Sequence, residues 1–297
     1  MKNHASFCFA KVLRPSALAI LLAYGALATT AICQSISSPA VPSAASYANE
    51  ALIIERSETT YKYNADGTGE KDSFVRMKIQ TEAGARQFSV LSFPFASATE
   101  IIKIETLVVH HPDGTSTDTP ASDGIEMPAP VTQQAPLYSD LKMLQIPVRS
   151  LRAGDVLEFA VHLQRKNPEA AGQFWDAYTF TSNMVVLSET FTLDVPKDKY
   201  VKQWSSELKP VVTQEPARTV YVWSSSQLKP TPSGAKKEDD VPEAPKPVKP
   251  DVAWTTFQTW AEVGEWYRAL AAPRAAPTDE VSSRGEEEQG QFAPLQS

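Results

Sequence analysis

The clearest strand pattern in this chain is in LRAGDVLEFAVHL, residues 151–163. After an Ala-Gly-Asp turn, apolar side chains occupy every second position and more polar ones stand between them: Leu157, Phe159, Val161 and Leu163 against Glu158, Ala160 and His162. This period of two is typical of a strand with one face in a core and one in solvent. The stretch therefore predicts a half-buried β-strand.

The same pattern recurs on both sides of this strand. Segments 52–63 and 71–81 predict a hairpin, because Gly67 ends a turn-forming Asn-Ala-Asp-Gly sequence between them. Residues 82–85 predict a second turn, and 118–137, rich in proline, a long irregular loop. Further strands are predicted at 86–93, 102–108 (Ile102, Ile104, Thr106 and Val108 on one face), 141–148, 185–195, 200–204 and 220–224. About eight to ten short strands separated by turns favour a mainly β protein, an antiparallel β-sandwich over residues 51–228.

The C-terminal part has a different composition. Residues 229–251 alternate proline with charge and predict a Pro-rich linker. A short strand and one amphipathic helix are predicted over 252–272, with Thr259 and Glu262 as a capping box and Pro273 as the end. One helical face is predicted to carry Trp260, Val263, Tyr267 and Leu270. The tail, 273–297, has no periodicity and is expected to be disordered.

The N-terminus predicts export. Positive residues precede an uncharged apolar run at 16–28, followed by small-x-small cleavage candidates, which is typical of a signal peptide over residues 1–33. The apolar run is shorter than the ~20 residues that span a bilayer, which disfavours a membrane anchor, and lipidation at Cys33 stays an alternative. Residues 34–50 read as a flexible lead-in. The predicted location is extracytoplasmic: periplasm, envelope or secreted.

Charge and residue content restrict the chemistry. A net charge of −7 and no basic stretch argue against nucleic acid as a partner. No cysteine follows Cys33, so a thiolate nucleophile and Cys-ligated zinc are excluded after that point. His162 is expected on the exposed face of its strand, and His110 and His111 point to opposite strand faces, which disfavours one shared metal. We therefore predict no catalytic, cofactor-binding or metal-binding residue, no cofactor, and a protein that is not an enzyme.

Aromatic residues are the candidates for interaction. Within GQFWDAYTF, residues 172–180, alternation assigns Phe174, Tyr178 and Phe180 to the core and Trp175 to the opposite face. Trp175, Trp260 and Tyr267 are therefore the predicted contact residues, since Trp and Tyr are enriched at interfaces.

Several short segments, in this order and spacing, resemble the bacterial family called domain of unknown function 3857, DUF3857. They are YKYNADGTG (61–69), EAG (82–84), VVHHPDG (108–114), LRAGDVLE (151–158), GQFWDAYTF (172–180), SETFTLDVP (188–196) and VAWTTFQTWAEVGEWYRAL (252–270). The resemblance covers about 210 residues by this reading and implies a non-catalytic N-terminal module of secreted transglutaminase-like proteins.

In such relatives a core with a Cys-His-Asp triad follows the helix, whereas neither Cys nor His follows Leu270 here. The resemblance implies a binding or accessory module whose partner is a transglutaminase-like or envelope protein. Two alternatives stay open: a truncated or split transglutaminase- or protease-like enzyme whose core is encoded separately, and an envelope structural or assembly protein.

Overall fold

The strand predicted from residues 151–163 forms the centre of a large sheet. In the computed structural model, which describes residues 47, 49–133, 140–230 and 249–275, it spans Val156–Arg165. Leu157, Phe159 and Val161 are buried, and the alternating residues are half-buried, as the period of two predicts. The strand pairs antiparallel with a neighbour on each side.

Fourteen strands and two α-helices make up the described part of the chain. In chain order they are β1 (Leu52–Tyr63), β2 (Gly69–Ile79), α1 (Glu82–Gln87), β3 (Val90–Ala96), β4 (Glu100–His110), β5 (Ser116–Asp118), β6 (Ile125–Pro128), β7 (Leu141–Pro147), β8 (Val156–Arg165), β9 (Trp175–Tyr178), β10 (Val185–Pro196), β11 (Lys202–Ser205), β12 (Val211–Gln214), β13 (Arg218–Gln227), β14 (Val252–Thr255) and α2 (Trp260–Ala275). Short 3₁₀ helices lie at Ala121–Asp123 and Pro130–Gln133.

The strands form one large and two small sheets. The large sheet has eight strands in the order β12-β13-β10-β1-β2-β8-β4-β5. The small sheets have three strands each, β11-β14-β9 and β3-β7-β6. All pairings are antiparallel except that of β1 with β10, which is parallel. The predicted mainly β, antiparallel-rich sandwich is thus confirmed.

Both small sheets cover the same face of the large sheet. The register of β2 puts Met77 and Lys71 on one face, because strand side chains alternate. Met77 belongs to a core beneath β3 and β7, and Tyr61, paired with Lys71, belongs to a second, aromatic core beneath β9 and β14. The inner face of the large sheet therefore carries two adjacent cores, one under each small sheet.

A β-bulge in β4 changes the side-chain face that alternation predicts to be shared. In β4 the register shifts between Ile104 and Thr106, so that Leu107 and Val109 are buried instead of the predicted Thr106 and Val108. β1 shifts in the same way between Ile54 and Arg56. A bulge inserts one residue and reverses the alternation beyond it, which a strict period of two does not anticipate.

Two loop and strand predictions were wrong. Residues 82–87 were predicted as a turn and the start of a strand, but they form α1. The Thr81 hydroxyl caps this helix by accepting a hydrogen bond from Gly84 N at 3.1 Å. The predicted irregular loop at 118–137 contains β6, which pairs with β7. Tertiary pairing outweighs the local proline content in β6, an edge strand where proline is tolerated.

The predicted C-terminal helix is present. The Thr259 hydroxyl accepts from Glu262 N at 3.3 Å, the bond expected of the capping box. The helix continues through Pro273 to Ala275, beyond the predicted end. A proline in the last turn removes one backbone hydrogen bond with little helix left to disrupt.

Outside the described residues lie the predicted signal peptide, most of the predicted lead-in, the larger part of the predicted Pro-rich linker and the tail from residue 276. Within the described ranges, no helix has the length and apolar character needed to cross a bilayer.

Candidate functional site

A polar pocket of about 230 Å³ opens between the two small sheets, on the inner face of the large one. Glu70 also lines the pocket, but it alternates with Lys71 along β2 and so belongs to the opposite strand face. The charged and phenolic residues on the inner face are two cations, two acids and two phenols: Lys71, Arg165, Glu100, Asp176, Tyr61 and Tyr63. Such a set is unusual at positions that strand alternation directs towards a core. We refer to these six residues as the charged pocket.

Strand register brings the charged pocket together. Tyr61 is paired with Lys71 across β1 and β2, and Gly69 is paired with Arg165 across β2 and β8. Arg165 is in turn paired with Glu100 of β4. Asp176 reaches the same space from β9 of a small sheet.

Gly69 makes room for the phenol of Tyr63. A Cβ at Gly69 would lie 2.6 Å from Lys62 O and 3.1 Å from the Tyr63 ring. The Tyr63 ring stacks on Phe174, with centroids 4.1 Å apart and planes 5° from parallel. This stacking holds the Tyr63 side chain, which is 2% exposed, against the pocket.

The ion pairs of the charged pocket are loose. Arg165 Nη2 lies 3.3 Å from Glu100 Oε1 and 3.7 Å from Asp176 Oδ2. Both acids also accept backbone N–H groups, Glu100 from Ala96 at 2.9 Å and Asp176 from Ala177 at 2.8 Å. The guanidinium also lies 5.8 Å from the centre of the Tyr63 ring.

Burial dominates the electrostatics of the charged pocket. Loss of solvation raises the pKa of Asp176 and lowers the pKa of Lys71. It also raises the pKa of Tyr61 and of Tyr63, which both remain neutral phenols. Lys71 Nζ lies 5.0 Å from the centre of the Tyr61 ring, a cation–π distance.

The predicted interaction residues lie elsewhere. The Trp175 ring is half-buried, 5.4 Å from the Phe257 ring and 5.2 Å from that of Trp266. Trp175 therefore joins the sandwich to α2. Trp266 Nε1 completes that contact by donating to Glu169 O at 3.1 Å.

Of the four residues on the predicted apolar face of α2, Val263 is half-buried and the other three are exposed. Trp260 is 89% exposed, Tyr267 is 67% exposed and Leu270 is 39% exposed. Trp260 and Tyr267 are seven residues apart, which places them on one side of the helix. We call these two residues the α2 aromatic face.

Comparison with protein families identifies the family of this chain. The chain matches the model described as a domain of unknown function with a solved structure, DUF3857, over residues 65–232, more than half its length. This chain belongs to the DUF3857 family. No curated protein sequence matches it.

Among solved structures, the DUF3857 chain resembles a proposed protease from Parabacteroides distasonis. The TM-score is 0.63 at 15% identity, over 82% of this chain and 47% of that one. The chain thus spans about half the length of that structure, and at this identity the likeness shows the fold alone.

Two more distant structures were also matched. A proposed nutrient-binding protein from Legionella pneumophila aligns with a TM-score of 0.31 and 9% identity, over 60% of this chain and 63% of that one. An M1 zinc metallopeptidase from Deinococcus radiodurans aligns with a TM-score of 0.30 and 8% identity, over 59% and 39%. At these TM-scores neither supports an argument about this protein.

Three of the segments that resemble the DUF3857 family, 61–69, 172–180 and 252–270, meet in space next to the pocket. Gly67 has φ +90°, and a Cβ there would lie 2.5 Å from Gln173 O. Phe174 N donates to the Thr256 hydroxyl at 2.9 Å, and Thr256 N donates to Phe174 O at 3.0 Å. Three segments far apart in sequence thus hold the aromatic core beside the charged pocket.

The histidines of the DUF3857 domain do not all lie at the surface as expected. His111 Nδ1 lies 3.0 Å from Asp155 Oδ1, and His111 Nε2 lies 2.9 Å from the Thr117 hydroxyl. This hydroxyl–imidazole–carboxylate order is shared with nucleophilic triads, but here it ties two turns together. His162, half-buried, lies 2.7 Å from the exposed Asp72. The described part of the chain contains no group of three metal-ligating side chains.

Sequence reasoning missed the charged pocket, although a signal for it exists. Lys71 shares its odd-numbered phase with Val75, Met77 and Ile79, whose side chains face the core. Arg165 shares the phase of Leu157 and Leu163. A charge at a core position of a period-two strand is the pattern that predicts such a pocket.

Proposed function

We propose that this DUF3857 domain is an extracytoplasmic, non-catalytic module that binds a transglutaminase- or protease-like catalytic domain. The observation that carries the proposal is the α2 aromatic face. Two large aromatic side chains project into solvent from a helix that is held to the sandwich by a different residue, Trp266. Exposed Trp and Tyr side chains supply large contact areas at protein interfaces.

The choice of a catalytic domain as partner rests on three supports. The family resemblance implies a transglutaminase-like neighbour. The structure of the proposed Parabacteroides protease extends well beyond the part that matches this chain. In addition, the α2 aromatic face is exposed and therefore accessible to a separate domain. Export is supported by the N-terminal sequence pattern.

Purification from the native host tests the proposal. We would compare the wild-type chain, a W260A/Y267A variant and a control, Tyr200→Ala, which removes an aromatic that is exposed elsewhere on the surface. Intact mass would show whether a catalytic domain is on the same polypeptide. If it is separate, mass spectrometry should identify a transglutaminase- or protease-like protein with the wild type and control, and not with W260A/Y267A.

If the domain is on the same polypeptide, the α2 amides of the wild type should exchange hydrogen more slowly than those of W260A/Y267A. The proposal fails if the double substitution changes neither association nor exchange. It also fails if the purified DUF3857 chain alone transfers amines to glutamine or cleaves peptides, since this would make it an enzyme.

A further inference from the structure

The charged pocket has more hydrogen-bonding capacity than its own residues use. This site is distinct from the α2 aromatic face, and the proposed function makes no use of it. Buried polar groups normally find partners, so several under-used groups in one cavity require an explanation. Three of them are donors and one is an acceptor.

Tyr63 supplies the first donor. Its hydroxyl is buried and makes no hydrogen bond with the described part of the chain, while the residue is 2% exposed and lines the pocket. A buried hydroxyl without a partner costs about 1–3 kcal/mol in proteins. A ligand that accepts from this hydroxyl would remove that cost.

Lys71 supplies the second donor. Lys71 is half-buried, its Nζ lies 5.0 Å from the centre of the Tyr61 ring, and it forms no hydrogen bond or ion pair with the described residues. No carboxylate of the described residues lies within 4.0 Å of it. An ammonium group has three donors, which are open to an anion in the pocket.

Arg165 supplies the third donor. Its side chain is 19% exposed, yet only Nη2 is engaged with carboxylates, at 3.3 and 3.7 Å. A guanidinium has five N–H groups and prefers bidentate contact with a carboxylate. The loose pairing leaves Arg165 able to bind an anionic group.

Asp176 supplies the acceptor. Its Oδ1 accepts from Ala177 N at 2.8 Å, but its Oδ2 is 3.7 Å from the nearest cation, Arg165. The carboxylate is 34% exposed and faces the pocket from the opposite sheet. It is placed to receive an ammonium group.

The volume and the charge balance restrict the ligand. About 230 Å³ is below the ~300–1,000 Å³ of pockets that take drug-sized molecules. Two carboxylates disfavour a simple anion, and Lys71 and Arg165 disfavour a metal cation. A small molecule with both charges is complementary to both sides.

We propose that the charged pocket binds a small zwitterion of the α-amino-acid class. Lys71, Arg165 and the Tyr63 hydroxyl bind its carboxylate, and Asp176 binds its ammonium group. The ring of Tyr61 and the side chain of Leu163 flank the uncharged part.

The first experiment is a thermal-shift screen of the full chain with the common L-amino acids and their D enantiomers, followed by calorimetry on the strongest hit. At least one should raise the melting temperature and release or absorb heat at a single site. The methyl ester of the hit lacks the carboxylate charge, and its N-acetyl derivative lacks the ammonium charge. Each should bind at least about tenfold more weakly, the loss expected of one charge-assisted contact.

Variants then assign each end of the ligand. Lys71→Met should weaken binding of the amino acid, so that it binds no more tightly than its methyl ester. Asp176→Asn should likewise make the amino acid bind no more tightly than its N-acetyl derivative. Lys62→Met and Asp198→Asn alter exposed residues outside the pocket and should leave binding unchanged.

Tyr63→Phe keeps the stacked ring and removes the unpartnered hydroxyl. It should fold at least as stably as the wild type and bind more weakly, so it tests the site even if the charge variants fail to fold. The proposal is overturned if no amino acid binds the wild type. It is equally overturned if Tyr63→Phe and the folded charge variants bind the amino acid with the same affinity as the wild type. Neither result bears on the α2 aromatic face.

Discussion

His111 Nδ1 lies 3.0 Å from Asp155 Oδ1, and this contact joins the turn after β4 to the turn before β8. Asp155 is 2% exposed, and its second oxygen accepts from Arg152 N at 2.8 Å. The two turns also touch, since a Cβ at Gly154 would lie 3.5 Å from Pro112. A buried carboxylate with local partners therefore fixes the geometry of the loops at one end of the sandwich.

Replacing His111 by alanine should destabilise the fold. The substitution leaves the buried Asp155 carboxylate without its imidazole partner, which costs about 1–3 kcal/mol for a buried group. Chemical denaturation should show this decrease in the free energy of unfolding. His110→Ala is the matched control, because the His110 side chain is 39% exposed and its nearest acid oxygen is 4.0 Å away. Equal losses in the two variants would contradict the role assigned to His111.

Gly67→Ala should be more destabilising than Gly114→Ala. Both glycines have positive φ, +90° and +86°, so alanine at either position meets a backbone penalty of about 1–2 kcal/mol. Only at Gly67 does the added Cβ also collide with backbone, 2.5 Å from Gln173 O. The difference in free energy of unfolding between the two variants gives the cost of the steric clash at position 67. A difference near zero would contradict the close approach of position 67 to Gln173 O.

Trp266→Ala should release α2 from the sandwich. Its ring packs against Trp175 at 5.2 Å and Phe257 at 6.0 Å. The loss should lower global stability by about 1–2 kcal/mol and speed hydrogen exchange of the α2 amides. In the 297-residue chain measured without a partner, Trp260→Ala is the control, since Trp260 is 89% exposed there and should change neither quantity. A larger effect of Trp260→Ala than of Trp266→Ala would mean that α2 packs on the sandwich through its other face.

Asp176→Asn and Asp66→Asn should respond to pH in opposite ways. Burial raises the pKa of Asp176, so the folded state binds that proton more tightly than the unfolded state. The stability of the wild type relative to Asp176→Asn should rise as pH falls from neutral towards the ordinary aspartate value of 3.8.

Hydrogen bonds from the Thr68 hydroxyl and N–H lower the pKa of Asp66. The Asp66 carboxylate therefore stabilises the fold above its unfolded-state pKa, and this stabilisation is lost as pH falls. The stability of the wild type relative to Asp66→Asn should decrease as pH falls. Urea titrations at several pH values measure both slopes. If relative stability changes with pH in the same direction for Asp176 as for Asp66, burial is not the main influence on the pKa of Asp176.

The strand prediction succeeded where alternation was strict and failed where backbone geometry interrupted it. β8 follows the period of two, and the β1–β2 hairpin lies where the sequence predicts it. The bulge in β4 was missed because an inserted residue changes which side chains face inward without leaving a clear local signal. α1 was missed because six residues are too few for a helical period to be recognised.

The pocket was harder to predict than the strands. Phe174 and Phe180 were correctly assigned to the core. Lys71 and Arg165 stand at inward positions that the alternation identifies, but their partner Asp176 comes from another sheet. Its approach depends on how β9 packs across the large sheet, and no spacing within one strand carries that information.

The fold class, the β1–β2 hairpin, the capping of α2 and the burial of Phe174 and Phe180 could all be predicted from the sequence alone. These depend on the alternation of neighbouring side chains and on hydrogen bonds between residues a few positions apart, so local order is sufficient. Only the tertiary structure decided that β1 pairs parallel with β10, that Trp266 rather than Trp260 holds α2, and that six polar side chains share one pocket. Each of these depends on contacts between segments distant in the chain, whose relative positions are set by packing of the whole core.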